Sequence, residues 1–219
     1  MSGPDVSGNV ATRERALPVS VVAISREHGA GGERVGALVA ERLGYRYVDD
    51  EIVAQAAAKG NISHAEIADT EKRRSLALRL IEQLGRSSTP AYAAPLVANT
   101  PPIEQYQELI RAVIAETAAQ GSAVIVAHAA SLALADRDDV LRVFVTAPPT
   151  VRAQRLAADG DVELSKASRI VKSSDADRRS YFKSFYGIRE LPTHYDLVVN
   201  THGLSFEQAA GVVAHAATG

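Results

Sequence analysis

Val21-Val22-Ala23-Ile24-Ser25-Arg26-Glu27-His28-Gly29-Ala30-Gly31-Gly32-Glu33-Arg34-Val35-Gly36 is the stretch whose reading decides the fold. Its first five residues are apolar or small and rich in β-branched side chains, which suits a strand buried on both faces. Gly29, Gly31 and Gly32 then supply a turn, and Val35 starts a helical stripe. A strand that feeds a helix through a glycine-rich turn makes an anion site. Backbone N–H groups from the turn and the helix start converge there, and the helix dipole favours negative charge. The bland alternative is a tight turn with no ligand.

The Walker pattern for such a turn, Gly-x4-Gly-Lys-Ser/Thr, is broken here. Register on Gly31 puts Arg26 at its first glycine, Gly32 at its lysine and Glu33 at its hydroxyl residue. The backbone cradle is therefore expected across His28, Gly29, Ala30, Gly31, Gly32 and Glu33, without the usual cation. Arg26 is the nearest side chain that can supply the charge, with Arg34 in reserve. For Arg34 a surface ion pair with Glu33 or Glu41 is the competing reading.

Working outward, Val35, Leu38, Val39 and Leu43 recur at helical spacing, and Gly44 stands where a C-terminal cap belongs. A short strand, Tyr45 to Val48, leads to Asp49-Asp50. Residues 51 to 85 read as helical and 86 to 102 as a Pro/Ser/Ala loop. Tyr106, Leu109, Ile110, Val113, Ile114 and Thr117 stripe the next helix, which Gly121 ends. Apolar strands follow at Ser122–Ala127, Val140–Thr146 and Leu197–Asn200. Between them a helix opens at Pro149 or Thr150, and a charged helical segment runs from Asp161 to Tyr186. Phe206 to Ala217 is the last helix. Strands alternating with helices predict an α/β fold, a doubly wound parallel sheet of about five strands with helices on both faces. Residues 1–17 are polar and aperiodic and read as a disordered tail; residues 18–219 read as one domain.

The chain has 219 residues, 46% of them hydrophobic, and a formal net charge of −2. It can bury a core, and its charge argues against DNA, RNA or an anionic membrane as the main partner. Without cysteine there is no disulfide framework and no thiolate chemistry. No apolar run approaches the roughly 20 residues of a membrane span, and the N-terminus lacks the order of a secretion signal. The expected location is cytoplasmic. The histidines form no recognisable metal pattern.

In a doubly wound sheet the ligand sits beyond the carboxyl ends of the strands. The glycine turn, Asp49, His128 and the Pro148 loop all follow strands. Asp49 is read as hydrogen-bonding or acting as a base toward an acceptor group, Asp50 more as a helix N-cap. His128 is read as a substrate contact, against the bland reading of a satisfied polar residue. Arg152, Arg155, Arg169, Lys172, Arg178, Arg179 and Lys183, interleaved with Asp175 and Asp177, read either as a solvated helical face or as a lid. A lid would bring guanidinium groups onto a transferring phosphoryl, where positioning and charge neutralisation carry the chemistry.

These ordered segments resemble the cytidylate kinase-like family, a branch of the P-loop nucleoside monophosphate kinases. The likeness is carried by Ile24–Glu33, Leu43–Ile52, Val124–Val126, Val140–Phe144, Asp175–Lys183 and Tyr195–Asn200. The resemblance implies a core with an acceptor-binding region near residues 51–102 and an arginine-bearing lid near 150–187. It implies ATP and Mg2+ as cofactors, Arg152 and Arg155 on the donor phosphates, Arg178 in catalysis, and Asp49, Asp175 and Arg178 at the substrate. The chain departs from the family twice. The turn lacks the lysine and hydroxyl of working kinases, though Gly-Gly followed by a polar residue is common within this branch, and the third strand ends Ala127-His128 where Gly-Arg is usual.

Two functions follow as expectations. One is ATP-dependent phosphoryl transfer to a nucleoside monophosphate. The other is a catalytically degenerate relative that binds a nucleotide or another phosphorylated small molecule as a sensor. An interaction subunit is a third reading. The sequence does not fix the oligomeric state.

Overall fold

The computed structural model describes residues 18–49, 103–127, 130–160 and 162–219. The expected tail, the expected acceptor region, Asp50 and His128 lie outside the described residues. Five parallel strands form one sheet: β1 (Val21–Arg26), β2 (Arg46–Asp49), β3 (Ala123–Val126), β4 (Val140–Thr146) and β5 (Leu197–Asn200), in the order β2-β3-β1-β4-β5. β1 is central, and its register joins Val21 to both Ala123 and Val140. Asp49 and Ile24 both face Val126 across the ladder, so the ends of β2, β3 and β1 reach the same edge.

Helices α1 (Gly32–Leu43), α2 (Ile103–Ala119), the short α3 (Ala130–Ala133), α4 (Pro149–Gly160), α5 (Leu164–Tyr186) and α6 (Phe206–Thr218) make the outer layers. Alternate residues of β1 enter opposite layers, as the strand period of two requires. Val22 and Ile24 pack with Val35 and Val39 of α1 and with Ala209 and Val213 of α6. Val21 and Ala23 pack with Ile114 and Ala118 of α2 and with Ala130 of α3. Both faces of the strand are therefore dry, which is why Val21 to Ile24 carries no polar alternation. α4 and α5 have their own apolar seam of Ala153, Ala167 and Val171.

α1 sits tight on the sheet. A Cβ at Gly36 would stand 2.4 Å from the Val126 side chain, so glycine sets the helix-to-strand distance. Gly44 ends α1 in the left-handed region at φ 65°, donating to the carbonyls of Ala40 and Glu41. Ser205 caps α6 reciprocally with Gln208, the capping box that anchors its start. α3 and a 3-10 turn at Pro192–His194 have too few residues to show a period in the sequence.

Candidate phosphate-binding site

The glycine turn joins β1 to α1 at the carboxyl edge of the sheet. Gly29 and Gly31 both stand at φ 79°, a conformation that side chains rarely adopt. The turn closes on itself through the Ala30 N–H, which donates to the Glu27 carbonyl at 3.0 Å. Among the described residues the N–H groups of Gly29, Gly31, Gly32 and Arg34 have no acceptor. The last two belong to the first turn of α1, whose dipole favours an anion. The backbone thus offers donors without partners at the place the sequence indicates.

The turn is held from behind by three arginines that bond its alternate carbonyls. Arg178 Nη1 donates to the Arg26 carbonyl at 2.8 Å, and Arg152 Nη1 to that of His28 at 3.3 Å. Arg155 Nη1 donates to the Ala30 carbonyl at 3.3 Å. The Thr201 hydroxyl, next after β5, donates to that same carbonyl at 2.7 Å. Peptide groups whose carbonyls are fixed on one side are also fixed in the direction of their N–H groups. Arg152 and Arg155 thereby orient the N–H groups of Gly29 and Gly31, whereas the peptide that Arg178 holds carries the Glu27 N–H, which donates to the Val145 carbonyl of β4 at 3.1 Å and ties the start of the turn to the sheet.

Each arginine is anchored in turn. Arg152 is 1% exposed and forks onto Asp175, with both nitrogen–oxygen distances at 2.9 Å. Its Nε donates to the Ala147 carbonyl, and the Glu27 carboxylate, itself bonded by the Thr146 hydroxyl, lies 3.5 Å away. Arg155 also bonds the hydroxyl and carbonyl of Thr201 and stacks over Phe206. Arg178 forks onto Glu190 and lies between the rings of Phe144 and Phe182. Burial works against its charge, but the Glu190 contacts outweigh that and hold the guanidinium above its ordinary value. Tyr195 donates to the same Glu190 oxygen, and burial, reinforced by Glu190, pushes its phenol up to about 12.

Arg26 lies over the turn itself. Its Nε donates to Glu33 Oε1 at 2.6 Å. A Cβ built on Gly32 would stand 2.5 Å from the Arg26 Cβ. The arginine stem thus fills the space where a Walker lysine would begin. Arg34 reaches Glu207 of α6 at 3.9 Å and is well exposed, so its ion pair runs to another helix than Glu33 or Glu41 suggested. Gly31 faces α6 too: a Cβ there would come within 2.3 Å of the Phe206 ring.

On the far side of β1, Asp49 ends β2 level with Val126. His28 is exposed beside the turn. Arg169, Lys172, Arg179 and Lys183 are exposed along α5. Thr150, Lys172, Asp175 and Arg179 line a groove of about 320 Å3 between α4 and α5. Glu190 and Thr201 carry no sequence signal of their role, and Glu27 and Tyr195 fall in segments of the family likeness without a role of their own there. Thr201 shows only its place just after the last strand; Glu190 and Tyr195 lie in irregular backbone without periodicity.

Residues 21–203 match the model of the cytidylate kinase-like family. The chain belongs to that family. A cytidylate kinase of Staphylothermus marinus is 28% identical over 99 residues, which cover 45% of this chain and 55% of that protein. A cytidylate kinase of Desulfurococcus amylolyticus is 33% identical over 91 residues, 41% of this chain and 49% of its own length. The chain thus spans about half the length of the curated relatives it matches. The fold is shared with an uncharacterized protein from Eubacterium ventriosum at a TM-score of 0.66 and 17% identity, covering 92% of this chain and 98% of that one. It is shared with a shikimate kinase from Bacteroides thetaiotaomicron at 0.53 and 14% identity, covering 91% and 96%. This family member thus has the fold of P-loop kinases.

The family implies a magnesium ion, and the turn offers it one carboxylate, Glu33, which Arg26 holds at 2.6 Å in this structure. Magnesium takes hard oxygen donors, usually one or two carboxylates with substrate phosphates. Glu33 stands at the Walker hydroxyl position and is 49% exposed. Among the described residues no group of three or more His, Asp or Glu side chains forms a cage for a metal.

Proposed function

We propose that this protein binds a nucleoside triphosphate with its phosphates on the glycine turn and transfers a phosphoryl group to a nucleoside monophosphate. The observation that carries this reading is the row of N–H donors without acceptors, oriented by arginines on the opposite side of the turn. The donor brings the phosphoryl group, and magnesium neutralises charge on its phosphates. Gly29, Gly31, Gly32 and the start of α1 hold the phosphates. Arg26 takes the part of the missing lysine, since its stem packs against Gly32 and its Nε reaches Glu33 at the start of α1. Arg152 and Arg155 act as positioning residues for the Gly29 and Gly31 N–H groups through the carbonyls they hold, and Arg178 anchors the start of the turn. Asp49 and His128 serve the acceptor, with Asp49 orienting or deprotonating the attacking group.

The engagement of Arg152, Arg155 and Arg178 with protein groups favours a second reading, a relative that binds a nucleotide without turning it over. Transition-state charge needs guanidinium groups on the phosphoryl, and these three face carbonyls and carboxylates in this structure. One experiment separates the readings. Thermal shift of the full chain with ATP, with and without magnesium, is read beside product formation from CMP, UMP and AMP. Stabilisation with turnover supports the kinase; stabilisation without turnover supports the sensor. An unchanged melting temperature with every nucleotide overturns both.

A further inference from the structure

We propose that the groove between α4 and α5 binds a small phosphomonoester, an anion with an apolar body, at a place separate from the glycine turn.

Two cations face this groove without a counter-charge. Lys172 and Arg179 both line it, and Asp175 stands three residues after the first and four before the second. At that spacing on a helix a carboxylate ordinarily neutralises its neighbours. Here both Asp175 oxygens turn to the buried Arg152 of α4 instead, each at 2.9 Å. Lys172 and Arg179 are exposed, and among the described residues neither has an ion pair. The one acid on this wall is thus taken by an arginine of the other helix. The positive charge left over is local, because the chain as a whole carries −2.

The rest of the lining suits one small occupant. Thr150 adds a hydroxyl that bonds no described residue, and Pro149 and Val171 add apolar surface. The volume, about 320 Å3, is at the lower end for small-molecule sites. Lys172 and Arg179 stand about 10 Å apart along the helix, so their long side chains can close on one phosphate from either end. The turn is reached from another side. Neighbouring helical residues point about 100° apart, and Arg178, next to Arg179, reaches the Arg26 carbonyl. On α4, Arg152 packs against Gly29, while Thr150 lies two positions earlier on the other flank.

The test is an amide-resolved NMR titration of the labelled full chain with phenyl phosphate, inorganic phosphate and phenol. Phenyl phosphate should give saturable shifts centred on Thr150, Ser168, Lys172 and Arg179, at least about threefold tighter than inorganic phosphate, the weight of a small buried apolar area. Phenol should give none. Lys172→Gln and Arg179→Gln should each weaken phenyl phosphate about fivefold, the upper end for an exposed ion pair. Both positions are exposed, so melting temperatures should stay within about 2 °C of wild type. Shifts confined to Gly29, Gly31 and Gly32 assign the phosphate to the turn alone and overturn the proposal. So do shifts that spread over every exposed cation without saturating, wild-type affinity in both variants, and equal affinity for the two phosphates. Groove shifts without any at the turn leave this proposal standing and count against the phosphate reading of the turn instead.

Discussion

Arg26 and Gly32 share one space: the arginine stem lies where a side chain at position 32 would have to begin, 2.5 Å from a Cβ built there. The glycine at the Walker lysine position is therefore coupled to the arginine six residues before it. Restoring the lysine by Gly32→Lys should fail. The buried stem of Arg26 must shift, at a cost of about 1–3 kcal/mol. Combined with Arg26→Ala, the lysine should be accommodated and the two changes should be strongly non-additive. Urea unfolding of the two single variants and the double variant checks this; additive losses would show that the two side chains do not compete.

Asp175 holds a guanidinium that water does not reach. Asp175→Ala leaves Arg152 buried with Glu27 at 3.5 Å as its nearest acidic partner. Breaking a buried pair on one side costs about 3–5 kcal/mol, and the variant should lose stability in that range. The loss should appear in the urea midpoint. A change below about 1 kcal/mol would mean that the fork adds nothing beyond an exposed ion pair.

Stability should fall at alkaline pH through Tyr195. Its phenol rises from the ordinary value of 10.0 to about 12, so the native state keeps its proton longer than the unfolded chain does. A raised value of this kind stabilises fully below pH 10 and is lost as pH climbs toward 12. The window holds about 1–3 kcal/mol. Tyr195→Phe should flatten the slope of stability between these limits relative to wild type. Parallel slopes would show that the phenol does not titrate differently on folding.

The fold was legible because its signals are local. Val21–Ile24 carries an unbroken apolar run, Val140–Thr146 falls as read, and Gly44 caps α1 at the expected residue. The sequence also placed the turn on the sheet's carboxyl edge. The direction of the arginines was not legible. Arg152, Arg155 and Arg178 look alike as charges on helices, and the sequence reading aimed them at phosphates. Their targets in the structure are carbonyls of residues far away in the chain, together with Asp175, Thr201 and Glu190. No spacing rule connects Arg178 with Glu190, because Gly187 breaks the helix between them. Gly32 could be read as a lost lysine, but the arginine packed against it could not.

The Thr201 hydroxyl is the smallest part of the support behind the turn, which makes it the cleanest probe of that support. It is 2% exposed, donates to the Ala30 carbonyl and accepts from Arg155 at 2.9 Å. Thr201→Val keeps the volume and removes these two contacts together with a longer one to the Thr146 carbonyl at 3.4 Å. Arg155 then retains the Thr201 carbonyl at 2.7 Å, while the Ala30 carbonyl keeps a longer bond of 3.3 Å. The stability loss should be about 1–3 kcal/mol, the cost of leaving buried polar groups under-satisfied. If the carbonyl contacts orient the cradle, tripolyphosphate affinity should fall as well, measured where the variant is still fully folded. Thr201→Ser keeps the hydroxyl and should restore affinity even if the lost methyl leaves part of the stability deficit. Recovery of affinity without full recovery of stability would identify the hydroxyl as a positioning group. Wild-type affinity in Thr201→Val would confine Thr201 to tying the end of β5 to Arg155 of α4 and to the Thr146 carbonyl, and the orientation of the turn would then rest on the arginines.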